Sequence, residues 1–251
     1  MKHIVDHFDR AYIINLADRV DRRREAIAEF RRVGIDVPSD KVRFYTATRP
    51  RDQGSFPDRG TRGNFTSHRD ILHLAERDGL RNVLVFEDDI SFRSIDPAFE
   101  QRLMARLAEQ QWDVMLFGYL RPSDEHLTGP LVAWPGETMG GHFYAVNAPF
   151  IGKMLQFMHA CEQRPPGHPD GGPMLADAAY SHMRVVFPDA RVFLSVPNLA
   201  HQRNSRTDVH PTPGFDRIAW LAPLLRGARS IKHRLRMRSD REQLRRRSDQ
   251  E

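Results

Sequence analysis

Three carboxylates in a row, Glu87-Asp88-Asp89, follow directly on the apolar run Val83-Leu84-Val85-Phe86. A short run rich in Val and Phe, bounded by polar residues, predicts an interior β-strand. Alternation along that strand sends Glu87 and Asp89 to one side and Asp88 to the other. Acids crowded at a strand end repel one another, and a hard divalent cation taking oxygen ligands relieves the repulsion. An acidic cap at the sheet edge is the other reading of the triplet, and it needs no ion.

Residues 11–16 and 42–46 have strand composition. Between them lies a helix capped by Asp18 or Asp21 and ending at Gly34, with Ala26, Ile27, Phe30 and Val33 on one face. Strand, helix, strand predicts a parallel βαβ unit. Residues 49–62 are rich in Arg, Gly, Pro and Asp and read as a loop that can close over a ligand or simply be loose. A helix then opens at 63–68, capped by Asn64 or Thr66. This places Ser67 and His68 in its first turn, beside unpaired backbone N–H groups that favour anions. Beyond the acids, the pattern predicts a helix over 97–111 and strands over 112–118, 131–134 and 140–147. Helices from Pro149 and from Pro173 follow, the second carrying Asp177, and a last strand covers 191–197.

The chain has 251 residues, enough for one large domain or two small ones. Hydrophobic residues make up 40% and the mean hydropathy is −0.58, which describes a soluble chain with a modest core. No apolar run approaches the roughly 20 residues of a membrane helix, and residues 1–8 do not read as a signal peptide. The single cysteine, Cys161, fits a reducing compartment and reads as a small buried hydrophobe. Net charge is +5, but residues 226–251 hold ten basic and four acidic residues, so the rest of the chain is at −1. The basic character belongs to the tail, which argues against nucleic acid as a partner. With Trp220, Leu221, Leu224 and Leu225 among its arginines, the tail reads either as an amphipathic segment on an anionic membrane face or as a docked helix with a solvated end.

Ligands of open α/β sheets bind beyond the carboxyl ends of the strands. That edge would gather the Asp18–Arg23 turn, the loop after Thr46, the acids and the Gly118 turn. The first turn has no Gly-x-Gly-x-x-Gly and the chain has no P-loop. Its arginines can receive phosphate oxygens, or can be solvated surface charge. A metal held by carboxylates among basic groups suits a diphosphate, which it would bridge and neutralise as a leaving group.

Four segments resemble the family 25 glycosyltransferases, the lipooligosaccharide and collagen-type sugar transferases. They are Tyr12-Ile13-Ile14-Asn15-Leu16 with Asp18-Arg19 and Asp21-Arg22-Arg23, Gly63 with Ser67-His68, Leu84-Val85-Phe86-Glu87-Asp88-Asp89, and Pro197-Asn198-Leu199-Ala200-His201-Gln202 with Ser205. The resemblance implies a GT-A fold, an α/β domain with a Rossmann-like, mostly parallel sheet over residues 1–218. Its nucleotide-sugar half would be 11–118 and its acceptor half 119–218, with 219–251 as the basic tail. It implies a UDP-sugar or other nucleotide-sugar donor, Mn²⁺ or Mg²⁺, a glycan or glycolipid acceptor as in lipopolysaccharide biosynthesis, and inversion at the anomeric carbon. That placement suits the cytoplasm, at the inner membrane face if the tail binds there. Carried over by position, Asp89, Glu87 and His201 would serve the metal. Asn15, Leu16, Asp18, Arg19, Thr46, Ala47, Ser67, His68 and Asp88 would hold the nucleotide sugar. Asp177 would be the base, with Asp170 as its rival. The family cysteine before Ser-His is Asn64 here, and residues 122–188 match loosely. A metal-dependent phosphohydrolase or nuclease, and a non-catalytic nucleotide-binding relative, are the alternatives.

Overall fold

A computed structural model of the chain describes residues 3–94, 96–123 and 126–203. The basic tail and the end of the fourth family-like segment, including Ser205, therefore lie outside the described residues. After a 3-10 turn at Ile4–His7, the chain runs β1 (Arg10–Asn15), α1 (Val20–Arg32), β2 (Val42–Thr46), α2 (Arg59–Arg77), β3 (Asn82–Glu87), β4 (Ile90–Phe92) and α3 (Pro97–Ala108). It continues through β5 (Val114–Gly118), β6 (Leu131–Ala133), β7 (Phe143–Asn147), α4 (Ala148–Gln163), α5 (Ala176–Val186), β8 (Val192–Ser195) and β9 (Ala200–Gln202).

Seven strands form one sheet in the order β2-β1-β3-β7-β5-β8-β6. Strands β2, β1 and β3 pair in parallel, as do β5 and β8. Strand β7 is inserted antiparallel between β3 and β5, and β6 runs antiparallel to β8. Five strands thus point one way, giving the mixed, Rossmann-like α/β sheet that the sequence implies. Alternation is visible in β3, where Val83 and Val85 enter the core under α2, α4 and α5, while Leu84 and Phe86 enter the opposite core with α1 and α3. Burial on both faces is why the run is apolar throughout. Cys161 lies in the first of these cores, and burial pushes its thiol up to about 11, consistent with a packing role. Among the described residues no helix is long and apolar enough to cross a membrane.

Two helix starts differ from the expectation. Helix α2 begins at Arg59, with Asp58 as its cap accepting from Thr61 N, so Ser67 and His68 lie well inside it. The Arg-Gly composition of 59–62 hides a helical turn that the Asp58 cap specifies. Helix α5 begins at Ala176 rather than near Pro173, which puts Asp177 in its first turn. Neither Asp18 nor Asp21 caps α1, whose cap position is Arg19 with no side-chain capping bond.

Candidate active site

The carboxyl ends of β1, β2, β3 and β5 open into a cleft of about 860 Å³, within the range of small-molecule sites. Its walls include Asn15 and Leu16 after β1, Ala47 to Pro50 after β2, all three acids after β3, and Leu120 after β5. The two-stranded ladder of β4 and β9 adds Gln202 and Arg203, because Ile90 pairs with Gln202 and Arg203 N donates to Asp89 O at 2.7 Å. Asp177, Gly140 and Gly141 close the far side.

The strand ends at Glu87, and Asp88 and Asp89 form a tight turn into β4. Strict alternation therefore stops at Glu87, and all three acids face the cleft rather than splitting two to one. Their environments differ. Asp88 is buried, accepting from Asn15 Nδ2 at 2.7 Å and Arg22 Nη1 at 3.1 Å. Burial still raises its carboxyl above the ordinary value, although Arg22 and Asn15 act against the rise. Asp88 thus ties β1 and α1 to the acid turn rather than standing open to a ligand. Removing it takes the carboxylate partner from the buried Arg22 guanidinium, a defect worth about 3 kcal/mol. Asp88→Ala is expected to melt on the order of 10 °C below wild type in a calorimetric scan. A drop under 3 °C would show that Asp88 is not that tie.

Glu87 accepts from Gln202 Nε2 at 2.6 Å and Asn64 Nδ2 at 3.3 Å, with His68 Nε2 3.4 Å away. Burial alone would raise its carboxyl. His68, with His142 and Gln202, outweighs burial and holds it below the usual value. His68 itself lies behind Glu87, outside the cleft lining, with Nδ1 on the Tyr144 hydroxyl at 2.7 Å. It orients the acid from inside the core, where the sequence places it at a helix start.

Asp89 has no such commitments. Its Oδ1 is buried without a hydrogen-bond partner. Burial, then the charges of Glu87 and Asp88, push its carboxyl up to about 7, against Arg22 and Arg203. Among the described residues no three His, Cys, Asp or Glu side chains converge as a ready metal cage. One open carboxylate fits a cation whose other ligands are substrate phosphates and water, the usual habit of Mg²⁺. Mn²⁺ suits the same oxygen donors.

His201 is buried on β9 opposite Ser91 and is not among the cleft-lining residues; its neighbour Gln202 faces the cleft instead. The closing segment therefore reaches the site through Gln202 and Arg203, and only the strand register separates Gln202 from His201. Asp18, Arg19 and Thr46 also fall outside the lining. Asp18 pairs with Arg49, Arg19 with Asp21, and Thr46 is exposed. Ser67 lines the cleft but donates to Gly63 O at 2.6 Å and accepts from Thr48 N at 2.8 Å, so it fastens the loop after β2 to α2. Gly63 permits that approach, since a Cβ there would lie 2.6 Å from Thr48 O. Asn64 accepts from Ala176 N at 3.0 Å while donating to Glu87, so it supports the start of α5, not of α2. Thr48, Arg49, Arg59 and Arg203 are cleft residues that no short motif marked, and Gln202 stands in the closing family-like segment with no role carried over to it. Asp170 is exposed on the loop before α5, away from the cleft.

No family model matches the chain. A mosquito (Anopheles gambiae) protein named glycosyltransferase 25 family member is 33% identical over 140 residues, covering 45% of this chain and 22% of that protein. A human protein named inactive glycosyltransferase 25 family member 3 is 30% identical over 162 residues, covering 55% of this chain and 26% of that protein. The matches thus span about a quarter of the length of these relatives. Among solved structures, a glycosyltransferase involved in glycosylation of the major capsid of PBCV-1 aligns with a TM-score of 0.47 at 10% identity, covering 79% of this chain and 94% of that one. Over about half of its length, the chain is homologous to the family 25 glycosyltransferases.

Proposed function

We propose that the chain is a glycosyltransferase that moves a sugar from a nucleotide diphosphate donor, UDP-linked, to an acceptor hydroxyl with inversion, assisted by Mn²⁺ or Mg²⁺. The observation that carries this reading is the open carboxylate of Asp89 in a cleft that also presents Arg49, Arg59 and Arg203. Asp89 would hold the cation, which supplies charge neutralisation at the departing diphosphate. The arginines offer cationic donors to phosphate oxygens, and Arg203 is kept at the site by its bond to Asp88 O at 2.7 Å. Asp177, across the cleft, is the carboxylate available to take the acceptor proton. The glycan or glycolipid nature of the acceptor, and placement in the cytoplasm at a membrane face, belong to the same reading.

The test is thermal protection followed by turnover. UDP with Mn²⁺ is expected to raise the melting temperature more than either alone, and more than GDP or CMP with Mn²⁺. A panel of nucleotide sugars should then show donor hydrolysis or transfer. Metal-dependent cleavage of phosphoesters without sugar transfer would favour a phosphohydrolase. Protection without any turnover would favour a non-catalytic relative, a reading given weight by the relative that is named inactive.

A further inference from the structure

Large apolar side chains with nearly half their surface exposed are few among the described residues, and two of them, Leu120 and Met139, share one rim of the cleft. Each is 48% exposed. Their backbones are joined, with Leu120 N and Arg121 N both donating to Met139 O, at 2.7 and 3.2 Å. Gly140 follows with φ +80°, and a Cβ there would collide with Leu120. The pair is therefore fixed by main-chain bonds, not merely left out of the core. Gly140 N also donates to Asp177 Oδ2 at 3.0 Å, so the same strap that presents Leu120 and Met139 holds that carboxylate. Leu175, just before α5, extends the apolar surface into the lining.

Charge divides the cleft in the same way. All four arginines of its lining, Arg22, Arg49, Arg59 and Arg203, come from α1, the loop after β2, the start of α2 and the residue after β9. The lining residues that contacts tie to Asp177 or its helix start, Gly140, Gly141, Leu175 and Asn64, and the Leu120–Met139 pair joined to Gly140, include no cation. An anionic group placed there would meet a carboxylate and apolar surface, a combination that costs affinity. Fixed, clustered, exposed apolar side chains beside a polar group are the mark of a ligand surface.

We propose that Leu120 and Met139 form the acceptor platform, and that the acceptor is an uncharged glycoside whose apolar aglycone lies on it while its hydroxyl faces Asp177. This rests on the glycosyltransferase reading above and narrows its acceptor class to neutral, apolar-substituted sugars, against glycosyl phosphates. Two measurements test it separately from that reading. In the first, protein labelled with ¹³C at the methionine methyls is titrated with octyl glycosides and with the matching sugar 1-phosphates. The Met139 signal, assigned through Met139→Leu, is expected to shift with the octyl glycosides alone, whether or not any donor is turned over. No shift, or an equal shift with the phosphates, overturns the platform. In the second, kcat/KM is compared across the same acceptors with whichever donor is used. The octyl glycoside is expected to exceed the sugar phosphate by about tenfold or more, and Leu120→Asp to erase that preference. Equal use of both acceptors by wild type, or an unchanged preference in Leu120→Asp at an unchanged melting temperature, also overturns it. A Met139 shift without turnover of any donor would leave the platform standing and sink the transferase.

Discussion

Replacing Asp89 with Asn is expected to remove Mn²⁺-dependent protection by UDP and to lower transfer by at least about a thousandfold, the scale of losing a main charge-stabilising group. The change is close to isosteric, so it deletes the charge of the one acid in the triplet whose Oδ1 has no partner. Glu87 and Asp88 cannot take over, because each is already engaged by Gln202 and Asn64 or by Asn15 and Arg22. Thermal scans with and without Mn²⁺ and UDP, beside a transfer assay, measure both effects. Protection and turnover within fivefold of wild type in Asp89→Asn would sink the metal assignment.

The same substitution has an opposite consequence without metal. The Asp89 carboxyl is raised from 3.8 to about 7 in the folded chain. Between those values the unfolded chain has released its proton while the folded chain keeps it, so stability falls as pH rises. The slope is at most about 1.4 kcal/mol per pH unit, and the partial exposure of Asp89 reduces it. Below pH 3.8 the penalty is absent, and above 7 it is complete. Metal-free Asp89→Asn is therefore expected to melt higher than metal-free wild type at pH 8, with the gap closing towards pH 4. Mn²⁺ should reverse the order at pH 8, since a cation displaces the proton that burial favours. A site built for structure alone would lose stability with Asp89→Asn at every pH.

The βαβ opening, the buried strand before the acids and the apolar helix faces were legible because each is a local pattern. Val83 to Phe86 is apolar at every position because both sheet faces are covered, and that shows in four letters. What escaped depends on pairing between distant segments. The insertion of β7 between β3 and β5 leaves no trace in Phe143–Asn147, which looks like any interior strand. The short strands β4 and β9 stabilise each other, so neither reads as a strand by itself, and their register decides that Gln202 rather than His201 reaches the cleft. Ser67 and His68 read from the sequence as first-turn residues, because the Arg59–Arg62 turn looks too polar to be helical. Their work is to brace, one for the loop after β2 and one for Glu87. The partners that reveal this, Thr48 and Tyr144, are 19 and 76 residues distant in sequence.

Asp177→Asn is expected to lower transfer by about a hundred- to ten-thousandfold, the range for losing a general base, while UDP and Mn²⁺ still protect the protein. The amide can keep the bond from Gly140 N, now 3.0 Å from Asp177 Oδ2, so the strap and the start of α5 should hold. What it cannot do is accept a proton from an acceptor hydroxyl at neutral pH. The loss should therefore fall on kcat, with donor KM little changed. Asp170→Asn is the control: that residue is exposed on a loop outside the cleft, and activity should stay within twofold of wild type. Asn64 makes a second, graded test, because it holds the α5 start through Ala176 N and Glu87 through its amide. If Asp177 is the base, Asn64→Ala should reduce transfer less than Asp177→Asn does, by displacing the carboxylate rather than deleting it. Transfer by Asp177→Asn within fivefold of wild type would move the base elsewhere in the cleft and leave the donor half of the site intact.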